Sequence, residues 1–278
     1  MIREILVCLE GSSSGDAAVR VAMDIARPLS ATLFGLAVVH EPDIRAGAPV
    51  GIGSASFQHD RDDARVAAAR KHAVDRLAAF ERRCRFASVA PRTVEAVGEP
   101  TEIILAETDK HDLTVLGREA NFRVEPTADD PTLREAILQR ASRPILVVPE
   151  GTRALGNKVV IAYDGSHAVK RAVASFAASG LHVGREIRVV TVDDNGAAAW
   201  ELASGCVSWL QERGIVATPH NVVSPLSNVD ALCAFVETAR ADLLVMGCFA
   251  HSPLKHLLQG SVTRAIVERT RIPLYLQP

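Results

Sequence analysis

Leu243-Leu244-Val245-Met246-Gly247-Cys248-Phe249-Ala250-His251-Ser252-Pro253-Leu254-Lys255-His256-Leu257-Leu258-Gln259-Gly260-Ser261-Val262-Thr263-Arg264-Ala265-Ile266-Val267 is the stretch whose reading decides the fold. Its first apolar run reads as a buried strand that stops at Gly247, and a helical pattern resumes just after Gly260-Ser261, across a short polar loop. A strand ending in glycine, followed by a loop that ends in Gly-Ser at a helix start, turns backbone N–H groups and the positive end of a helix dipole toward one concavity. That chemistry suits phosphate.

Working outward, Lys158-Val159-Val160-Ile161-Ala162-Tyr163-Asp164-Gly165-Ser166 is a strand running into an Asp-Gly-Ser turn, and Ile187–Val192 is the next strand. The same order occurs earlier in the chain. Glu4–Ser12 precedes the first of these by 154 residues, Leu33–Val38 precedes the second by the same spacing, and Asp112–Gly117 precedes Asp242–Gly247 by 130. Arg143–Val147 is echoed by Arg271–Leu276. A repeat of this kind, with apolar strands alternating with amphipathic helices, predicts parallel sheets covered on both faces.

The expected fold is therefore α/β, two tandem copies of a five-stranded, doubly wound parallel-sheet domain. They span residues 1–150 and 157–278, joined by the polar run Pro149–Asn157. In the first copy a long loop follows the second strand, a helix is expected over about 61–85, a third strand over Val89–Ala96, and another helix from Pro131. The last strand of each copy, Ile145–Val148 and Leu274–Leu276, is a terminal edge suited to pairing, so the halves are expected to form an intramolecular pseudo-dimer. Further association as a homodimer is left open.

Composition narrows the function classes. The 278 residues are 48% apolar and 23% charged, with 31 basic against 33 acidic side chains. The near balance gives no pull toward nucleic acid or an anionic membrane, so neither is expected as a partner. No apolar run approaches the roughly 18 residues of a membrane span, and Met1–Glu4 leads straight into a strand, so a cytoplasmic location is expected. Cys8, Cys84, Cys206, Cys233 and Cys248 are scattered without a Cys-x-x-Cys pair and read as free buried thiols; Cys248, in the candidate loop, is the one expected to be open to solvent.

The strand and Asp-Gly-Ser start at Ile161–Ser166, the run Gly247–Thr263 and the closing Ile272-Pro273-Leu274-Tyr275-Leu276 resemble the universal stress protein family in its tandem, two-domain form. The resemblance covers nearly the whole chain and is more specific in the second half. It implies an adenine-nucleotide α-hydrolase-like fold that, in the nucleotide-binding branch, holds ATP through Gly-x-x-Gly-x9-Gly-Ser/Thr. On that resemblance Asp164 falls on the acidic position near the nucleotide, and Val192 on the strand end whose backbone meets adenine. Gly247, Gly260, Ser261 and Val262 fall on the phosphate and ribose loop, and Thr263 on a further phosphate-side hydroxyl. Ala250 stands where the motif has its second glycine, which costs about 1 kcal/mol if that position needs positive φ. His251, Lys255 and His256 lie inside the loop, where they meet phosphate charge or solvent. AMP or another adenine nucleotide is the alternative to ATP, and Mg²⁺ would suit the phosphates together with a carboxylate.

The first copy departs from this pattern. Asp130-Pro131-Thr132 stands where the second has Gln259-Gly260-Ser261, so a carboxylate and a missing N–H are expected to close its anion site, with Asp129 adding negative charge. Glu10 replaces Asp164, and Arg118 and Arg123 are left to receive some other anion. No nucleophile elbow, metal spacing or Gly-Lys-Ser/Thr is read, and no catalytic base can be named, so the chain is expected to be no enzyme. The leading expectation is a nucleotide-binding stress sensor or regulator. A nucleotide-free interaction scaffold and a slow adenine-nucleotide hydrolase are the alternatives.

Overall fold

The computed structural model describes residues 1–41, 55–120, 122, 133–248 and 261–278. Its first half contains β1 (Glu4–Cys8), α1 (Ser13–Leu29), β2 (Thr32–Val39), α2 (Ala55–Phe86), β3 (Pro91–Val97), α3 (Pro100–Thr108), β4 (Leu113–Gly117), α4 (Leu133–Arg140) and β5 (Ile145–Val148). The second half repeats the order with β6 (Lys158–Ala162), α5 (His167–Ser179), β7 (Glu186–Val192), α6 (Gly196–Gln211), β8 (Thr218–Val222), α7 (Asn228–Thr238), β9 (Leu243–Gly247), α8 (Ser261–Arg269) and β10 (Leu274–Gln277).

The strands form one ten-stranded sheet in the order β3-β2-β1-β4-β5-β10-β9-β6-β7-β8. Every pairing inside a half is parallel, and the join is antiparallel, with Leu274 opposite Val147, Tyr275 opposite Leu146 and Leu276 opposite Ile145. The expected pairing of the two terminal strands is thus present within the chain. β5 and β10 each have a neighbour on both sides, and among the described residues the edge strands are β3 and β8. Each carries a proline, Pro91 and Pro219, in keeping with the confinement of proline to sheet edges.

Two apolar cores sandwich the sheet. One holds Ile5, Val7, Val21, Phe80, Val173, Phe176 and Leu210 under α1, α2, α5 and α6. The other holds Leu6, Ile104, Ile137, Leu232, Val236 and Ile266 under α3, α4, α7 and α8. Both run across the two halves, because the sheet is continuous and each of its faces must be covered along its length.

Local devices recur with the repeat. Asp112 accepts from the backbone N–H of Arg3 and Glu4 at 2.7 and 3.1 Å, and Asp242 accepts from that of Lys158 at 2.9 Å, so one carboxylate ties the start of each half's first strand. Ser12 and Ser166 are N-caps of α1 and α5, accepting from Gly15 N and Val169 N at 3.0 and 3.3 Å. Helix α2 is longer than the expected 61–85, since its polar first turns lack the apolar period that marks the remainder. Strand β3 starts at Pro91, two residues later than expected. The described part of α4 begins at Leu133; Asp129, Asp130, Pro131 and Arg123 lie outside the described residues.

Candidate functional site

In a parallel sheet the carboxyl ends of the strands lie on one side, and a ligand binds in the crevice beyond them. The register sets Ile161 beside Val245 and Ala162 beside Val190, so the ends of β7, β6 and β9 stand next to one another. The Tyr163 N–H continues the ladder to Val190 O at 2.8 Å, and the Thr191 hydroxyl donates to Tyr163 O at 2.7 Å. Asp164 and Val192 follow at this level, Asp164 exposed and Val192 half-buried.

Asp164 opens a tight turn. Its Oδ1 accepts from Ser166 N at 2.9 Å, and Gly165 has φ +74°, a conformation that favours glycine. Gly247 closes the other side: a Cβ there would lie 2.5 Å from Val169 N and 2.6 Å from Ala168 C, both in the first turn of α5. Glycine at the end of β9 therefore brings that strand against the helix start. The β7 end is shaped by Asp193, whose Oδ1 accepts from Asn195 N at 2.8 Å, and by Asn195, whose Oδ1 caps α6 through Ala197 N and Ala198 N at 3.1 and 3.2 Å.

On the first turn of α8, Val262 is exposed and Thr263 is buried to 5% exposure. The backbone of Ser261 begins α8. Ala250, His251 and Gly260 lie outside the described residues, as do Lys255 and His256. The structure thus joins Asp164, Val192 and Gly247 at three adjacent strand ends. Among the described residues no group of three or more His, Cys, Asp and Glu side chains could hold a metal ion. A groove of about 290 Å³ bounded by Ala174, Ala177, His182, Trp209 and Arg213 lies between α5 and α6 and includes none of these strand-end residues.

The corresponding turn in the first half is tied down by its own side chains. Glu10 Oε2 accepts from Ser12 N and Oε1 from the Ser12 hydroxyl, both at 2.7 Å, and a Cβ on Gly15 would stand 2.4 Å from Glu10 Oε1. The carboxylate is folded over the start of α1, where it complements the helix dipole. Arg76 of α2 donates to Glu10 O at 2.9 Å, and the Ser14 hydroxyl accepts from Glu119 N at 3.2 Å, tying the loop after β4 to α1. The second half has Ala168 where the first has Ser14, and so lacks that tie. Sequence reasoning noticed the extra methylene of Glu10 but not that it lets the carboxylate reach back. The clue was Gly15, whose missing side chain makes room for it.

Three expectations change. Cys248 is buried beside Leu138 O, at 3.7 Å from its Sγ, and burial pushes its thiol up to about 12, so it is not an open thiol. Arg118 does not wait for an anion: it pairs with Glu119 at 2.6 Å and donates to Thr270 O at 3.0 Å. Gly11-Ser12-Ser13-Ser14-Gly15 does match the Gly-x-Ser-x-Gly order, which the sequence reading passed over. Its flanking hydroxyls are engaged in the cap and the Glu119 tie, and no described hydrogen bond joins Ser13 to a histidine.

The described fold defines a class, and comparison with known proteins says which. A model of the universal stress protein family matches residues 1–149 and 210–277, and the chain belongs to that family. Residues 150–209, which carry Asp164 and Val192, lie outside the match. The chain is 28% identical over 142 residues to universal stress protein Slr1230 of Synechocystis, a match covering 50% of this chain and 48% of that relative, so it spans about half of the relative's length. A universal stress protein from Archaeoglobus fulgidus has the same fold at TM-score 0.69 and 14% identity, covering 99% of this chain and 95% of that one. A functionally unknown protein from Pseudomonas aeruginosa PAO1 matches at TM-score 0.60 and 16% identity, covering 99% and 92%. Among the described residues no helix is long and apolar enough to cross a membrane.

Proposed function

We propose that this chain binds an adenine nucleotide, ATP in the first instance, at the carboxyl ends of β6, β7 and β9 in its second half, and acts as a cytoplasmic stress sensor or regulator rather than a catalyst. The observation that carries the reading is the contrast between halves. Glu10 is half-buried and bonds both the backbone N–H and the hydroxyl of Ser12, with Oε1 lying 2.4 Å from where a Cβ on Gly15 would stand, whereas Asp164 is exposed and, among the described contacts, bonds only Ser166 N. Gly247 sets the end of β9 against the first turn of α5, as Gly117 sets β4 against α1. Val192 meets the base, Gly260, Ser261 and Val262 the phosphates and ribose, and Mg²⁺ arrives with the phosphates, with Asp164 as its protein carboxylate. Residues 1–150 and 157–278 are the two units, the first not binding nucleotide.

Calorimetric titration of the purified chain with ATP, AMP and Mg-ATP tests this. One site is expected, weakened by Gly260→Asp. No heat at millimolar ATP, or equal binding by the Gly260→Asp variant, overturns the reading. The tied-down turn at Glu10 favours a scaffold role for the first half, exercised through its surfaces.

A further inference from the structure

Two contacts mark a local twofold relation between the halves. At a spacing of 129 residues Glu135 of α4 corresponds to Arg264 of α8, and the two are in contact, the guanidinium donating to Glu135 Oε2. At that same spacing Leu146 corresponds to Tyr275, and these lie opposite each other in the β5/β10 register. In a symmetric interface a residue on the axis meets its own copy. Like-with-like association of these surfaces would set Glu135 against Glu135, or Arg264 against Arg264. Opposite charges at this position favour the pairing of unlike halves and oppose both alternatives.

Helix α8 carries Ser261, Val262 and Thr263, and first-half groups meet it in its body and just past its carboxyl end, and meet the chain where it leaves β9. Leu138 O receives Cys248 Sγ at 3.7 Å where the chain leaves β9. Glu135, whose side chain is 11% exposed, takes Arg264 in the body of the helix. Arg118 donates to Thr270 O at the carboxyl end at 3.0 Å. Arg118 is itself fixed by Glu119, and its carbonyl accepts from the buried Arg134.

We propose that the first half is a heterotypic brace for the nucleotide-facing helix α8, with Glu135 and Arg264 as the positioning pair on the axis. The functional consequence rests on the nucleotide reading above; the brace itself does not. A ligand that orders the start of α8 is then coupled to α4, and the coupling is reciprocal.

Hydrogen exchange on the full chain without nucleotide tests the brace. Glu135→Arg is expected to speed exchange of the α8 amides about two- to fivefold, the scale of a partly exposed ion pair. The β6 and β7 amides remain unchanged and report an intact core, and Glu135→Arg combined with Arg264→Glu restores α8. Glu135→Gln gives a smaller change in the same direction and serves if the reversal does not fold. Unchanged α8 exchange in Glu135→Arg and Glu135→Gln, or a swapped pair no better than the single reversal, overturns the brace. With ATP, affinity is expected to fall by the same factor in Glu135→Arg and to return in the swap; equal affinity in all variants overturns the coupling to the site. If the unmodified chain binds no ATP while α8 exchange behaves as expected, the nucleotide reading fails and the brace stands.

Discussion

One methyl group separates Gly247 from alanine, and the first turn of α5 leaves no room for it. Val169 N would lie 2.5 Å from the added carbon, and a backbone atom cannot swing aside as a side chain can. Gly247→Ala is therefore expected to destabilise the fold by about 1–3 kcal/mol, as overpacking does. An unchanged urea midpoint would remove the close-approach argument. Asp164 and Gly247 were legible in the sequence because a turn and a strand stop are local signals. The placement of Glu10 was not: its length is plain in the sequence, but its direction depends on the space left by Gly15, in a turn whose carbonyl Arg76 holds from a distant helix.

Helix starts decide how the strand-end crevice is edged. Asn195 caps α6 with one side-chain oxygen serving two N–H groups, beside the end of β7. Asn195→Ala is expected to cost about 1 kcal/mol, the usual value of such a cap, with thermal unfolding as the measure and no change as the contrary result. Strand cores were read closely, β5 to the residue, since apolar runs between turn residues have sharp ends. Helix ends were read less well. Helix α2 begins ahead of its apolar period, and periodicity registers only the apolar stripe of a helix.

Across the whole molecule, both cores span the two halves, so acid sensitivity belongs to the chain as a unit. His182 is held below the ordinary histidine value of 6.5 by burial and then by Arg185, and His220 by burial and then by Arg188. Each binds fewer protons folded than unfolded. Stability is thus fully present above 6.5 and is lost as pH falls from there through the folded values. Glu102 is lowered from 4.5 by Arg140, and Asp230 from 3.8 by Ser227 and then Arg269, so their contribution is lost in a second window, as pH falls below these values. Urea midpoints are expected to hold between pH 7 and 8, to decline below 6.5 and to decline again below 4.5. A flat profile from pH 7 to 5 would contradict the histidine part.

The sequence by itself determined that the chain is a duplicated α/β protein, where most strands lie, and that Asp164, Val192 and Gly247 end strands of one half. These follow from period, turn chemistry and repetition, which act between near neighbours in the chain. Tertiary structure decided the register in which the two sheets meet, that Cys248 and Arg118 serve the seam, that Glu135 meets Arg264, and that Arg76 reaches the Glu10 carbonyl. Each of these depends on groups far apart in sequence that only the packed sheet brings within reach.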